Sequence, residues 1–412
     1  MDTALPVQLA SRMKRFDVAV IGGGLVGCAA SYYLAKLGAS VVLIEQGEIN
    51  RGASGRNAGS LHFQLEHRLV RHGQALAEHF AQVIPLTLQA IADWRGLEDE
   101  LRTTLEVEMH GGLIVAETKD DLEQLEQRRL LQAEWGLETS LLSRPALRRE
   151  APYLGDSVIG AGYSRDEGHA NPRLVTLAFA RGALGKGAEL LNGTRVEAIG
   201  RAGAEWLLRL KSRQAGVSEI SAGKLLNAGG SWSADIASMV HIHLPIFPVP
   251  LLLNAIERSG RLIPHLVQHA SQRLTVKQVA DGNILVGGGW PARFPSSGSG
   301  IDCRRQPQAV PRNALRNVRL AARLIPAIRN SHLLRSWTGT TGVTADEIPL
   351  LGEVPEVPGF YVAAGGAGFT HGPTYARLIS ELMLHGRASH SIALYSPGRF
   401  SHINSFMVAD GA

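Results

Sequence analysis

The chain has 412 residues, 45% of them hydrophobic and 19% charged, with a formal net charge of +5. That length allows two or three domains and a large core, and the balance is that of a globular protein, not of a disordered or fibrous one. The basic excess comes without a stripe of cations interleaved with aromatics, which argues against nucleic acid and suits an anionic substrate; the two cysteines, Cys28 and Cys303, are too few for a disulfide framework or a Cys-ligated iron–sulfur cluster.

Phe16 to Ile21 reads as a short apolar strand. Gly22, Gly24 and Gly27 follow as G-x-G-x-x-G, and Leu25 to Leu37 has the pattern of a helix. Ser40 to Ile44 is a second apolar strand, and it ends on Glu45. Strand, glycine turn, helix, strand and acid in this order form a dinucleotide-binding fingerprint. Gly22 permits the tight turn, Gly24 lets backbone N–H groups approach a pyrophosphate, and Gly27 lets the helix pack on the strand. The helix start offers N–H donors and partial positive charge to phosphate. Glu45 is placed to accept from an adenosine ribose, and its charge would repel the 2′-phosphate of NADP. Val18 to Ala35 carries no charge and follows Lys14 and Arg15, as a membrane span or signal peptide does. Its glycines and Lys36 suit neither, so no transmembrane or targeting segment is read, and a cytoplasmic protein is expected. Residues 1–13 read as a flexible extension.

Gly47 to Gly59 is a glycine-rich loop. Arg68 to about Asp99 is helical in pattern, with a break expected near Pro85. Gly111 to Ala116 reads as a strand, Asp120 to Trp135 as an amphipathic helix, and Ser143 to Glu150 as a short helix. A second unit opens near Asp166, where Asn171 is a good N-cap and Pro172 suits the first helical position. Strand-like runs flank Gly193, and KLLNAGG (Lys224 to Gly230) is a buried strand that ends in glycines. Residues 248–290 are β-rich, Pro295 to Pro311 is a loop, and Ala314 to Leu324 is helical. Gly359 to Gly386 again reads strand, glycine cluster, helix. The three strand-to-glycine ends, at 22–24, 228–230 and 365–368, are expected to line one crevice at the carboxyl edge of a sheet. No H-E-x-x-H or Cys/His cluster suggests a metal site.

Five stretches together carry a family resemblance: GGGLVG with Glu45, GASGRNAG (Gly52 to Gly59), DEGHANPRL from Asp166, LLNAGGSWS (Leu225 to Ser233), and Ser336 to Pro373. The chain resembles the FAD-dependent glycine and D-amino acid oxidoreductases from about residue 15 to 387. LTVKQ and LVGGGWP (Leu274 to Gln278, Leu285 to Pro291) look most like the β subunits of heteromeric opine, hydroxyproline and proline dehydrogenases and of hydrogen cyanide synthase. The resemblance implies an α/β fold: a Rossmann-like FAD-binding domain (14–85, 158–240 and 330–388) and a β-rich substrate domain of mixed sheet plus helices (86–157 and 241–329), discontinuous in sequence. It implies FAD in an extended form, with Gly22, Gly24, Leu25, Val26 and Gly27 on the pyrophosphate and Glu45 and Gln46 on the adenosine side. Ser54, Arg56, Asn57 and Ala58 would follow the cofactor toward the flavin. Val196 would meet the adenine side, Gly229 and Trp232 would flank the cofactor, and Gly366, Ala367, Gly368, Phe369 and Thr370 would face the flavin pyrimidine. Two family patterns are missing. No cysteine follows Cys303, so the cysteine route to covalent flavin is excluded and the FAD is expected to be non-covalent. The G-L-R-P arginine that binds substrate carboxylates in several relatives is replaced by Gly339-Thr340-Thr341-Gly342.

Lys277 is the leading candidate for catalysis. Alternation puts Thr275, Lys277 and Val279 on one strand face, which looks either toward the flavin or, on an edge strand, toward water. Arg56 would bind the substrate carboxylate or a flavin oxygen, or else only nearby backbone. His371 would face the flavin or the amine, or be structural, and His62 is a weaker case of the same kind. Trp337 is expected to pack beside the site, and Lys224 and Arg335 to be solvated. The resemblance implies oxidation of the C–N bond of a secondary amino acid (hydroxyproline, opine or proline type) to an imine, by hydride transfer to flavin N5. The enzyme would be the catalytic subunit of a hetero-oligomer whose partner subunits carry further redox centres. The alternatives are a stand-alone D-amino acid, glycine or sarcosine-type oxidase producing hydrogen peroxide, and a cofactor-holding subunit without turnover.

Overall fold

In the computed structural model, which describes residues 13–70, 72–298 and 300–407, the fingerprint folds as β1 (Lys14–Ile21), α1 (Leu25–Lys36) and β2 (Val41–Ile44). The extension at 1–13 lies outside the described residues except for its last one. The glycine-rich loop contains a short helix, α2 (Ala53–Arg56), and leads into β3 (Ser60–Leu61), α3 (His67–Val70), α4 (Gln74–Ala81) and α5 (Ile84–Leu101). The helical 68–99 stretch is thus interrupted before Pro85. The proline stands in the first turn of α5, where its missing N–H leaves no hydrogen bond unmade. Next come β4 (Gly112–Ala116), α6 (Lys119–Glu134), β5 (Ser140–Ser143), α7 (Arg144–Glu150), β6 (Gly160–Ser164), β7 (Gly168–His169) and α8 (Pro172–Gly185). Asn171 caps α8 by accepting from the Arg173 N–H, with Pro172 at the first position. Then follow β8 (Glu189–Leu191), β9 (Thr194–Ala202), β10 (Glu205–Ser212), β11 (Gly216–Asn227), α9 (Ser233–Ser238), β12 (Ile246–Arg258), β13 (Leu266–His269), β14 (Thr275–Gln278) and β15 (Asn283–Pro291). A small hairpin, β16 (Ser296–Ser297) and β17 (Gly300–Ile301), interrupts the loop expected over 295–311. The chain ends with α10 (Pro311–Leu324), β18 (Leu333–Thr344), β19 (Leu350–Glu353), β20 (Phe360–Ala364), α11 (Gly372–His385) and α12 (Ser401–Met407).

The first sheet has the order β19-β20-β11-β1-β2-β8, with β10 and β9 continuing from β11. From β20 to β8 the pairing is parallel. Such strands are buried on both faces, which is why their sequences are nearly all apolar. Val18, Val20 and Leu43 pack toward Leu34, Phe179 and Tyr375 of α1, α8 and α11. The alternate residues Ala19, Ile21, Val42 and Ile44 pack toward Val196, Trp206 and Leu208 of the β9–β10 ribbon. Lys224 is not solvated as expected, because its Nζ donates to the Met383 carbonyl in the last turn of α11.

The second sheet has the order β18-β12-β15-β14-β13-β4-β6-β5. It takes two strands from segments that the sequence assigned to the cofactor domain. Residues 160–164 pair with β4 along their length, and residues 333–344 pair with β12 from Ile256–Leu333 to Ile246–Thr344. Backbone ladders over whole strands outweigh proximity in sequence, so these two stretches belong with the second sheet. One face of that sheet (Val267, Val276, Ile284, Val286) is covered by Leu320, Ala321 and Leu324 of α10. The outer side of α10 carries exposed Arg312, Arg316, Arg319 and Arg323. The opposite face of the sheet looks toward the first sheet.

The segment after α2 joins the two sheets. Ser60 pairs with His169 in the β3–β7 ladder, and Glu167, fully buried, anchors the residues just beyond β3. One Glu167 oxygen accepts from the N–H groups of Phe63 (2.8 Å) and Gln64 (2.9 Å), and the other accepts from the Gln64 side chain at 2.8 Å. Gly112 makes room for it, since a Cβ there would lie 2.0 Å from the carboxyl oxygen. Burial outweighs these hydrogen bonds and pushes the Glu167 pKa up from 4.5 to about 7. A raised pKa favours the protonated fold, so this contribution is complete below pH 4.5 and is lost as pH rises through about 7. Its full size is about 3 kcal/mol at ~1.4 kcal/mol per pKa unit. Thermal melts of the wild type and Glu167→Gln across pH 4.5–8 test this. The wild type should lose melting temperature relative to the variant as pH rises, and a pH-independent difference would refute the assignment.

Candidate functional site

The carboxyl ends of β1, β11 and β20 lie side by side and carry the three glycine clusters. Gly22 has φ +116°, and a Cβ on it would lie 2.5 Å from the Ala228 carbonyl oxygen, so the turn after β1 rests against the end of β11. A Cβ at Gly27 would lie 1.9 Å from the Gly22 carbonyl oxygen, which shows how tightly α1 packs on the turn. At Gly24 the nearest atom to an added Cβ is Ser54 Oγ at 3.1 Å, and no other atom lies within 4 Å. Ser54 Oγ accepts from the Leu25 N–H at 2.8 Å. Gly24 caps α1 with no side chain, and no acid stands in the first turn. Buried Leu25 and half-buried Val26 thus open a helix whose remaining first-turn donors suit an anion.

Glu45 is held at the end of β2. Its two oxygens accept from the Gly23 and Gly47 N–H groups, each at 2.7 Å, and Gln46 beside it is exposed. The Thr194 N–H donates to the Glu45 carbonyl at 2.9 Å, which brings the start of β9 and buried Val196 to the same corner. Asn57 donates to the Ser54 carbonyl and accepts from the Gly59 N–H, both at 2.6 Å, which tightens the loop around Ala58. Trp232 lies 3.8 Å from where a Cβ on Gly52 would be, and Gly229 packs on Ile236. At the third cluster, Gly366 accepts from the Tyr375 hydroxyl at 2.8 Å. Ala367 takes a left-handed φ of 42°, Gly368 is exposed, and Phe369 packs on Trp94. Thr370 Oγ1 donates to the Ser60 carbonyl at 3.3 Å. This cluster opens α11, whose start also lacks a side-chain cap and an acid.

Lys277 settles the question the sequence left open. Its strand is interior, between β13 and β15, and all four of its residues are buried. Val276 turns to the α10 face and Lys277 to the other. Only 1% of Lys277 is exposed, and its Nζ donates to Ser60 Oγ at 3.0 Å. Among the described residues no carboxylate is paired with it, and burial pushes its pKa well below 10.5. Arg56 lies at the other end of the same loop. Its carbonyl accepts from Trp337 Nε1 at 2.8 Å, its Nε donates to the Arg51 carbonyl at 2.8 Å, and its Cβ packs on Gly339. Burial and Arg51 lower its pKa. Arg335 is exposed, as expected, and lies over the Trp337 ring. His371 is buried, with Nε2 3.1 Å from Thr87 Oγ1 and Nδ1 without a hydrogen-bond partner; burial lowers its pKa to about 4. His62 is half-buried, two residues after Ser60.

Two polar residues at this face went unnoticed in the sequence. His169, opposite Ser60, is buried with Nε2 unpartnered and a pKa lowered to about 3, chiefly by burial. Gln268, opposite Thr275, keeps its Nε2 unpartnered. His169 stood inside the DEGHANPRL motif, but its place depends on a pairing with residue 60 that no local pattern announces. Among the described residues no group of three His, Cys, Asp or Glu could hold a metal ion, and no helix is long and apolar enough to cross a membrane.

A glycine cradle at uncapped helix starts, with an acid held at the end of β2, is the geometry of a dinucleotide-binding protein. Residues 17–382 match the model of the family described as FAD dependent oxidoreductase, and the chain belongs to that family. FAD is accordingly its cofactor, and the uncrowded Gly24 at the uncapped start of α1 and the held carboxylate of Glu45 fit that group. The chain is similar to the B subunit of opine oxidase from Rhizobium meliloti, at 25% identity over 94% of this chain and 98% of the relative. It is also similar to glycine oxidase of Geobacillus kaustophilus, at 27% identity over 93% and 96% of the two chains. The crystal structure of the latter species' glycine oxidase superimposes with a TM-score of 0.79 at 25% identity, over 93% of this chain and 98% of that one. L-proline dehydrogenase from P. horikoshii superimposes with a TM-score of 0.80 at 24% identity, over 95% and 99% of the two chains.

A methyl group at Gly27 cannot coexist with the Gly22 carbonyl. Gly27→Ala should therefore lower the FAD content of the purified protein roughly tenfold while far-ultraviolet circular dichroism stays near wild type. Flavin absorbance per chain measures the first, and unchanged flavin content would show that the turn does not carry the cofactor.

Proposed function

We propose that the enzyme oxidises the C–N bond of a secondary amino acid of the hydroxyproline, opine or proline type to an imine, as the catalytic subunit of a hetero-oligomer. The observation that carries this is a buried lysine, Lys277, without an ion pair among the described residues, on a sheet face that meets the loop expected to follow the cofactor. The names of similar proteins, the B subunit of an opine oxidase and a glycine oxidase, support amino acid substrates, and the first of these names, that of one subunit among others, supports a partner.

FAD, when bound, supplies the acceptor for the hydride that leaves the carbon next to nitrogen. The chain would hold it through Gly22, Gly24, Leu25, Val26 and Gly27 at the pyrophosphate and Glu45 and Gln46 at the ribose, with Val196, Gly229 and Trp232 along the adenylate. Ser54, Arg56, Asn57 and Ala58 would line the way to the ring. Residues 366–370 and the start of α11 would place N–H donors where negative charge collects. Lys277, Arg56 and His371 are the side chains we assign to the substrate. His371, neutral and with a free Nδ1, would orient the amine, and Arg56, without an ion pair among the described residues, would attract an anionic group. The similarity to glycine oxidase also supports a second reading, a stand-alone oxidase that releases hydrogen peroxide.

Anaerobic mixing of the FAD-loaded enzyme with proline, hydroxyproline, sarcosine, iminodiacetate, glycine and D-alanine separates these readings. Loss of oxidised-flavin absorbance with secondary amines, and slow reoxidation by air, is the expected result. Fast reoxidation with stoichiometric peroxide would favour the oxidase, and no bleaching by any amine would overturn both.

A further inference from the structure

Lys277 is one of the largest fully buried side chains in the protein. It makes a single hydrogen bond, to Ser60 Oγ, and no ion pair among the described residues. The titratable groups packed around it offer no counter-charge. His169 and His371 are held neutral by burial. Glu167, over Gly112 two strands away, is occupied by three hydrogen bonds from the 63–64 segment. A buried ammonium without a counter-ion is strongly disfavoured, so the lysine stays an amine until an anion reaches it.

An amino acid substrate reaches the site as a zwitterion and brings both an anion and a removable proton. Its nitrogen must lose that proton before the neighbouring carbon can release hydride. We propose that Lys277 takes the proton of the substrate's ammonium group and, so charged, becomes the partner of the substrate's carboxylate. This rests on the amine-oxidation reading above and assigns the carboxylate site that the missing G-L-R-P arginine leaves open. In the transfer one N–H bond of the substrate breaks and one N–H bond at Lys277 Nζ forms. No electrons change hands, and the net charge of the complex is unchanged. Ser60 fixes Nζ at the face of the sheet, and Leu285, opposite Lys277 on β15, is its apolar cross-strand neighbour.

Two measurements on the FAD-loaded enzyme test the assignment. The first is calorimetry in two buffers of different ionisation enthalpy, with tetrahydrofuran-2-carboxylate, the ring-oxygen analogue of proline, which has no proton to give. The wild type should take up about one proton from the buffer on binding it. Proline should bind with almost no uptake, because it carries the proton itself. Lys277→Met should show no uptake, and Lys277→Arg, permanently charged, should bind the carboxylate without uptake. Failure of the wild type to bind the analogue, or binding without proton uptake, overturns the proposal.

The second measurement is the second-order rate of anaerobic flavin bleaching as a function of pH, with whichever amine reacts. The wild type should be flat through neutrality. Lys277→Met and Lys277→Gln, with flavin content as the check on folding, should rise about tenfold per pH unit toward the amine's own pKa, because only free amine can then react. A merely structural lysine would lower flavin content and leave the slope unchanged, and flat profiles in both variants would overturn the role. If no amine bleaches the flavin, the amine reading falls, while the calorimetry still decides whether Lys277 binds a carboxylate by taking up a proton.

Discussion

The site depends on one ten-residue path, residues 56–65, that runs from the first sheet across the second. The side chains that hold it include Trp337 at the Arg56 carbonyl, Lys277 and Thr370 at Ser60, and Glu167 at the backbone of 63 and 64. They come from β18, β14, the loop before α11 and the turn before β7. Each hydrogen bond alone is worth about 1 kcal/mol net. Together they fix the distance between the cradle at Gly24 and the polar face at Lys277, which no single element spans.

That face is polar in composition, and burial works against charge on it. Lys277, His169 and His371 are all moved by burial toward their neutral forms. The free nitrogen atoms of Gln268, His169 and His371 sit where water has little access, and an unpaired polar atom in such a place favours any ligand able to complete it. A low local dielectric strengthens each charge that a substrate brings in.

Much of the cofactor half was legible in the sequence because its signals are local. Gly22, Gly24, Gly27 and Glu45 lie within 24 residues, and the strand–glycine–helix order at 359–386 repeats the pattern. Asn171 and Pro172 marked the start of α8 for the same reason. What escaped depends on pairing between distant segments. The stretches at 160–164 and 333–344 look like their neighbours in sequence, yet they hydrogen-bond to β4 and β12. Alternation could say that Lys277 and Thr275 share a face, but only the order β15-β14-β13 shows that the strand has no wet side. The break expected near Pro85 falls at 82–83, just before the proline, which stands in the first turn of α5.

The order of the first sheet has a consequence for how the protein is made. Its central strand pairs are β1 with β11 and β11 with β20, and α11 packs on α1 through contacts such as the Ser380 hydroxyl on the Ala30 carbonyl. The two ends of the chain therefore meet in the middle of the nucleotide cradle. A nascent polypeptide still attached at residue 360 has neither β20 nor α11, and its first glycine turn lacks part of its wall. Such long-range closure is slow and comes late, so the wall of the cradle is complete only once residues 360–385 have been made.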